Sequence, residues 1–259
     1  RARHRDERDP AQAGRMTTSP FWVSAFLDFA PGGFDRGVAF WRGVTGYGLS
    51  ERRGPAGEFA TLVLSAGDDY LRVQALGVGD GRVHLDLHVE NPTHAAEAAI
   101  ELGAHVLVRH ELGYVVLRSP GGFVFCFVTH PASRRPAAAT WPDGNRSRVD
   151  QVCLDIPPSS YDEEVAFWRT LTGWDHEPSV AREFARLHPP DEQPLRWLLQ
   201  RLDDEPGAVG AHLDLCCDDR AAEQARHEAL GATLVRRHEH WTVMTDPVGT
   251  TYCITRRKP

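Results

Sequence analysis

Two copies of a short string carry much of the chemistry this chain can offer: His84-Leu85-Asp86-Leu87 and His212-Leu213-Asp214-Leu215. In an extended segment side chains alternate, so each imidazole and the carboxylate two residues on share one face. Such a pair can act as general acid and base, its carboxyl pKa raised by crowding in a closed space. It can equally be a solvated or hydrogen-bonded structural pair, since one face of an antiparallel sheet is often wet. Asp is disfavoured in strands, yet it occupies two matching strand centres here, with Asp28 and Asp155 on two other strands. A thiol follows each copy, Cys126 in one and Cys253 in the other. Neither has an evident activating base nearby in sequence.

The elements that must hold these residues come in four rounds. The matches extend to Leu102-Gly103-Ala104 with Leu230-Gly231-Ala232, and to Arg109-His110-Glu111 with Arg237-His238-Glu239. A period of roughly 127 residues is too long for a solenoid repeat and marks a duplicated domain. Residues 22–29 read as a strand, and residues 34–46 carry Phe34, Val38, Phe40, Trp41 and Val44 at helical spacing before a glycine suited to a C-cap. Three short strands follow at 47–51, 59–64 and 70–76, which makes one βαβββ unit. Residues 82–90, an Ala-rich helix at 93–102 and three more strands make the second. The programme repeats from 149, where Phe167-Trp168-Arg169 answers Phe40-Trp41-Arg42. The expected division is a disordered extension over 1–18 that includes Met16, one domain over 19–129, a Pro, Ala and Arg-rich linker over 130–148, and a second domain over 149–259. Such a linker is too long for its length to decide how the halves dock.

Composition narrows the function. A net charge of -7 gives no general attraction to nucleic acid or an anionic membrane, so neither is expected as a partner. No apolar run approaches the ~20 residues that cross a bilayer. Five cysteines without a Cys-x-x-Cys favour a reducing cytoplasm. A soluble protein with two cores is the expectation.

Strand alternation then sorts the polar face. In residues 82–90 the apolar Val83, Leu85, Leu87 and Val89 belong under helices, which leaves His84, Asp86 and His88 on the other side. The same rule groups Ser24, Phe26 and Asp28; Tyr70, Arg72 and Gln74; and Cys126 with Val124. In the second half it groups Gln151, Cys153 and Asp155; Arg196, Leu198 and Gln200; His212, Asp214 and Cys216; and Cys253 with Thr251. Trp41 and Trp168 fall on helix core positions and Trp197 faces the helices, whereas Trp22, Trp174 and Trp241 are candidates for a cavity rim. The Arg-His-Glu repeats read as a charged strand edge. Gly77 to Gly81 do not open a helix after a strand and are no phosphate loop.

Four βαβββ units, an aromatic pair in the first helix of each half and a Pro-x-Gly turn before each last strand (Pro120-Gly121-Gly122 and Pro247-Val248-Gly249) resemble the vicinal oxygen chelate superfamily. The nearest likeness is to glyoxalase-like and bleomycin-resistance proteins, in a tandem form covering residues 22–256. The resemblance implies an α+β fold: two domains with curved, mostly antiparallel sheets, helices on the outer face, and a cavity lined by the polar face. The halves would pair as a pseudo-dimer within the chain, or between chains in a homodimer. Metal-binding members place ligands at positions that here hold Ser24, Gln74, His84 and Cys126, and Gln151, Gln200, His212 and Cys253. Only the histidines match, and the glutamates that would hold a hard divalent ion are replaced. The expectation is therefore no cofactor and no metal, with a small planar or aromatic molecule bound in the cavity. His84, Asp86, His212 and Asp214 are the expected reactive groups. Ser24, Phe26, Asp28, Tyr70, Arg72, Gln74, His88, Cys126, Gln151, Asp155, Arg196, Gln200 and Cys253 are the expected ligand contacts. The alternative is an enzyme, a lyase, isomerase or dioxygenase of this superfamily, that uses a residual metal or His/Asp acid-base chemistry. A third reading is a scaffold in which duplication merely replaced a homodimer.

Overall fold

The computed structural model describes residues 18–179, 181–205 and 207–259. The extension expected over 1–18 lies outside these residues apart from Thr18. The first unit runs β1 (Trp22–Phe29), α1 (Phe34–Thr45), β2 (Gly48–Leu49), β3 (Phe59–Val63) and β4 (Leu71–Ala75). The second runs β5 (Arg82–His88), α2 (Pro92–Glu101), β6 (His105–Arg109), β7 (Val115–Arg118) and β8 (Val124–Val128). A short β9 (Ala139–Thr140) precedes β10 (Arg146–Ile156), α3 (Tyr161–Thr172), β11 (Asp175–Pro178), β12 (Phe184–His188) and β13 (Arg196–Arg201). The last unit is β14 (Gly210–Cys217), α4 (Arg220–Ala229), β15 (Thr233–Arg237), β16 (Trp241–Thr245) and β17 (Thr251–Thr255).

The strands form two mixed sheets of like order, β2-β3-β4-β1-β5-β8-β7-β6 and β11-β12-β13-β10-β14-β17-β16-β15. Within a unit neighbouring strands are antiparallel, but each unit closes with a parallel pair: β1 with β4, β5 with β8, β10 with β13 and β14 with β17. β10 starts three residues earlier than alternation indicates, because Arg146 and Ser147 pair with Thr140 and Ala139 of β9, inside the stretch expected to be linker. The helices α1 and α3 end where the sequence places them, at Gly46 with φ 74° and Gly173 with φ 68°, left-handed positions that suit a residue without a Cβ.

The halves dock within one chain and share a continuous core. The residues that join them are the aromatic pairs. Trp41 of α1 is fully buried, donates its Nε1–H to Asp246 Oδ2 at 3.0 Å and packs on Tyr252 of β17. Trp168 of α3 packs edge-on against Phe123 and Phe125 of the first half, and on Trp197 of its own sheet. Each of these helices therefore lies between its own sheet and the other half. Trp22 and Trp174, expected at a cavity rim, are buried instead. Their rings belong to this apolar layer, which removes far more surface from water than a rim position would. Among the described residues no helix is long and apolar enough to cross a membrane. All five cysteines are free and buried.

Candidate functional site

In the second half the polar face of the sheet lines a cleft of about 1590 Å³. Its floor contains Gln151, Cys153 and Asp155 from β10, Arg196 and Gln200 from β13, His212 and Asp214 from β14, and Cys253 from β17. Strand register explains why they meet. Gln151 lies beside Arg196 on one side and Asp214 on the other, and Asp214 lies beside Cys253, so one row crosses four strands. Cys153 sits between Leu198 and His212 in the next row.

His212 is the hinge of the arrangement. Asp155 Oδ2 accepts from His212 Nδ1–H at 2.8 Å, which fixes the tautomer and turns Nε2 toward Asp214, whose Oδ1 is 3.4 Å away. Burial opposes a charge on His212, but Cys153, Asp155 and Asp214 outweigh it and raise the imidazole pKa well above its ordinary value. Asp214 is 3% exposed and takes a hydrogen bond from Gln151 Nε2 on Oδ2. Its other oxygen, Oδ1, is buried with no hydrogen-bond partner among the described residues. A buried carboxylate oxygen left bare costs about 1–3 kcal/mol or more, so either a protonated His212, whose Nε2 stands 3.4 Å away, or a cation in its place is needed to meet it. Burial raises the pKa of both thiols, Cys153 well above its ordinary value and Cys253 less, with His212 beside Cys253 pulling back.

The first half holds the same constellation in a different state. His84 Nδ1 bonds Asp28 Oδ2 at 2.8 Å, Asp86 lies beside Cys126, and burial raises the Asp86 pKa. None of the first-half candidates, Ser24, Phe26, Asp28, Tyr70, Arg72, Gln74, His84, Asp86, His88 and Cys126, lines the cleft. They lie on the other sheet, where the space over His84 is filled by Phe26. It stacks flat on the His84 imidazole, ring centres 4.5 Å apart, at the register position that Cys153 holds beside His212. A ring there covers the imidazole face that a thiol leaves open. His88 is tied to Ser24 Oγ and the His130 carbonyl at 2.8 Å each, and Tyr70 donates to the Val149 carbonyl at 2.7 Å.

Some residues at or just behind the cleft wall escape strand alternation. A bulge between Val149 and Gln151 breaks the period, so Asp150, at a position alternation assigns to the helix side, is buried beside Arg257 and Arg196. Arg135 reaches the cleft from the expected linker. Trp241 does stand at the rim, with His238 of the second Arg-His-Glu stacked on it at 4.4 Å and Phe184 edge-on at 5.8 Å. The sequence signals for these are thin: an isolated Asp on an apolar face and an aromatic at a strand start.

His212, Asp214 and Cys253 each bring a ligand-capable atom within 4.8 Å of the others, and so do His84, Asp86 and Cys126. The second-half set fits a divalent ion. It offers a bare carboxylate oxygen, an imidazole oriented from behind by Asp155, a thiol, and access from the cleft.

In sequence, the glyoxalase-like domain family matches the chain twice, over residues 24–128 and 151–255. No curated protein matches it in sequence. In structure it is similar to a mutant of 4-hydroxymandelate synthase from Streptomyces coelicolor, at 15% identity and TM-score 0.61, covering 93% of this chain and 94% of that one. It is also similar to the 2,3-dioxygenase LapB from Pseudomonas sp. KL28, at 13% identity and TM-score 0.62, with 93% of each chain covered. A third is the Mn(II)-bound glyoxalase from Novosphingobium aromaticivorans, at 16% identity and TM-score 0.59, covering 93% of this chain and 82% of that one. Identities this low establish the fold alone. The expectation of a cavity without metal is nonetheless overturned, by a metal-bound protein of this fold and by the ligand sets that the chain itself assembles. That expectation compared only four family positions in each half and left out Asp86 and Asp214, which supply the carboxylate it found missing. Matched over most of its length by one family, with two vicinal oxygen chelate units in tandem, the chain belongs to the glyoxalase-like domain family.

Proposed function

We propose that the protein is a metal-dependent enzyme of the vicinal oxygen chelate type, with a single reaction centre in its second half. The observation that carries this reading is the bare, buried Oδ1 of Asp214, 3.4 Å from His212 Nε2 and beside Cys253. His212, Asp214 and Cys253 would hold the ion, and a set of N, O and S donors favours zinc over the manganese of the glyoxalase neighbour. When bound, such an ion supplies Lewis-acid polarisation of a substrate oxygen. Asp155 keeps His212 in the tautomer that presents Nε2, and Gln151 holds the far oxygen of Asp214 so that Oδ1 faces inward. The cleft of about 1590 Å³ exceeds the ~300–1,000 Å³ usual for small-molecule pockets, which leaves room for an organic substrate together with water. Phe184 and Trp241 give it an apolar wall against which a flat substrate can lie. The 4-hydroxymandelate synthase and 2,3-dioxygenase neighbours support an oxygen-bearing organic substrate.

The test is metal analysis of the purified full chain, as isolated and after chelation and titration with zinc or cobalt(II). One ion per chain is expected, with a thiolate-to-cobalt absorption band. His212→Ala should abolish tight binding and Cys253→Ser should remove the band, while circular dichroism stays unchanged. Failure of the folded protein to take up either ion sinks the reading, as does uptake that both variants leave intact.

A further inference from the structure

One end of the cleft carries a concentration of guanidinium groups that the metal centre does not use. Arg135, Arg196 and Arg257 line it, and Arg148 lies behind. Among the described residues two carboxylates, Asp150 and Asp214, come within 4 Å of them. Asp150 takes two bonds from Arg257, at 2.6 and 3.1 Å, and its Oδ2 is 3.8 Å from Arg196 Nε. Asp214 is 3.8 Å from Arg257 on the side of the centre. Arg148 is 7% exposed, gives NH1 to the Pro136 carbonyl at 2.8 Å, and keeps its Nε buried without a partner. Arg135 gives NH1 to the Asp191 carbonyl, a neutral acceptor, at 3.2 Å. Burial, then the neighbouring Arg148 and Arg196, hold the Arg135 pKa below its ordinary value. Arg135 and Arg196 are exposed to the cleft, and like charges gathered there repel unless an anion joins them. The first half has a buried guanidinium of its own, Arg72 near Arg53 and Asp86, but no arginine at the position of Arg196. Where Arg196 flanks Gln151, the matching place in the first half holds Tyr70, a fully buried phenol.

We propose that this end of the cleft binds the carboxylate of an organic-acid substrate between Arg135 and Arg196, while the rest of that molecule reaches the His212–Asp214 centre. Arg guanidinium forks match a carboxylate in two parallel bonds. Arg196, Gln151 and Asp214 occupy adjacent strands of one row, so the acid group and the reacting end stand roughly 10 Å apart at the backbone, two strand spacings. That span suits an aryl or alkyl acid of modest length. The proposal rests on the enzyme reading for the role of the bound acid, but the anion site itself does not need the metal.

The experiment is a thermal-shift and calorimetry screen of the full chain against a panel of small aromatic and aliphatic monocarboxylates. Each acid is paired with its neutral amide, inorganic phosphate is added as a further arm, and zinc uptake is measured separately on every variant. Acids should bind and their amides should not. Arg135→Gln and Arg196→Gln should each weaken the best acid roughly tenfold, as loss of a charge-assisted bond does, and leave zinc uptake unchanged. Amides binding as well as acids, acids binding both variants unaltered, or no acid binding overturns the proposal. Phosphate binding in place of every acid overturns it too. If acids bind in an arginine-dependent way but no metal is taken up, the anion site stands and the enzyme reading falls. Metal uptake without acid binding gives the reverse.

Discussion

His88 shows how a residue with the right chemistry can serve the fold instead. Its Nδ1 faces the His130 carbonyl, which only accepts, so Nδ1 carries the proton and Nε2 accepts from Ser24 Oγ. That pattern needs a neutral ring. Burial pushes the His88 pKa down to about 4, against the opposing bond to the His130 carbonyl. In the unfolded chain the ring titrates near 6.5, so between about pH 6.5 and 4 the unfolded state binds the extra proton and stability falls as pH falls. The expected loss between pH 7 and 4.5 is on the order of 2–3 kcal/mol from this residue. Urea unfolding of the wild type and His88→Gln at both pH values checks it: the variant should be less stable at pH 7 and lose less on acidification. Equal losses in the two proteins would place the pH dependence on other groups. The same scale separates the two halves, because one aromatic ring, Phe26, stands where Cys153 leaves its histidine accessible.

At the scale of elements, the two helices between the sheets do matching work by different means. Trp41 donates to Asp246, whose Oδ1 also accepts from the Val248 and Thr250 amides of the turn before β17. The corresponding turn in the first half has Ser119 in place of that aspartate. There Glu164 of α3 takes over, accepting from Trp168 Nε1 at 2.7 Å and from the Gly121 amide at 2.8 Å. A side chain at Gly121 would collide with Val209 and Glu164, so the turn approaches the helix this closely only as glycine. Trp41→Phe keeps most of the apolar ring and removes the donor, leaving Asp246 Oδ2 buried without it. A destabilisation of about 1–3 kcal/mol is expected. Because donor and acceptor belong to different halves of one core, unfolding should remain a single transition, in Trp41→Phe as in the wild type. Calorimetry that resolved two transitions would contradict the shared core. This layer was legible in part. The aromatic pairs, the glycine caps and the face of each strand follow from periodicity and turn chemistry, as does the HLDL strand itself. The bulge at Asp150 was not, since a single inserted residue leaves no mark on an apolar alternation. Nor was Arg135, whose place depends on the path of an irregular segment.

At the scale of the whole molecule, duplication has produced two sites of like topology and unlike accessibility. Sequence reasoning identified both polar faces but treated them alike, because alternation tells which residues share a face and not what fills the space above them. The first half keeps a full ligand set in His84, Asp86 and Cys126, with Asp28 behind His84 as Asp155 stands behind His212. One difference is the ring on top; another is Tyr70 at the place of Arg196. If Phe26 is what silences this set, shrinking it should restore binding. Wild-type protein is expected to take up one metal ion per chain, and His84→Ala should leave that uptake unchanged. Phe26→Cys, which copies the second half, should raise it toward two, with the added ion lost on His84→Ala and not on His212→Ala. The substitution removes buried aromatic surface and is expected to destabilise by about 3–5 kcal/mol, the range for emptying a buried phenylalanine site, so stability is measured alongside. Uptake that stays at one ion in a folded Phe26→Cys protein would show that the first site is closed by more than its phenylalanine. Binding retained by His212→Ala but lost in His84→Ala would move the working centre to the other half of the chain.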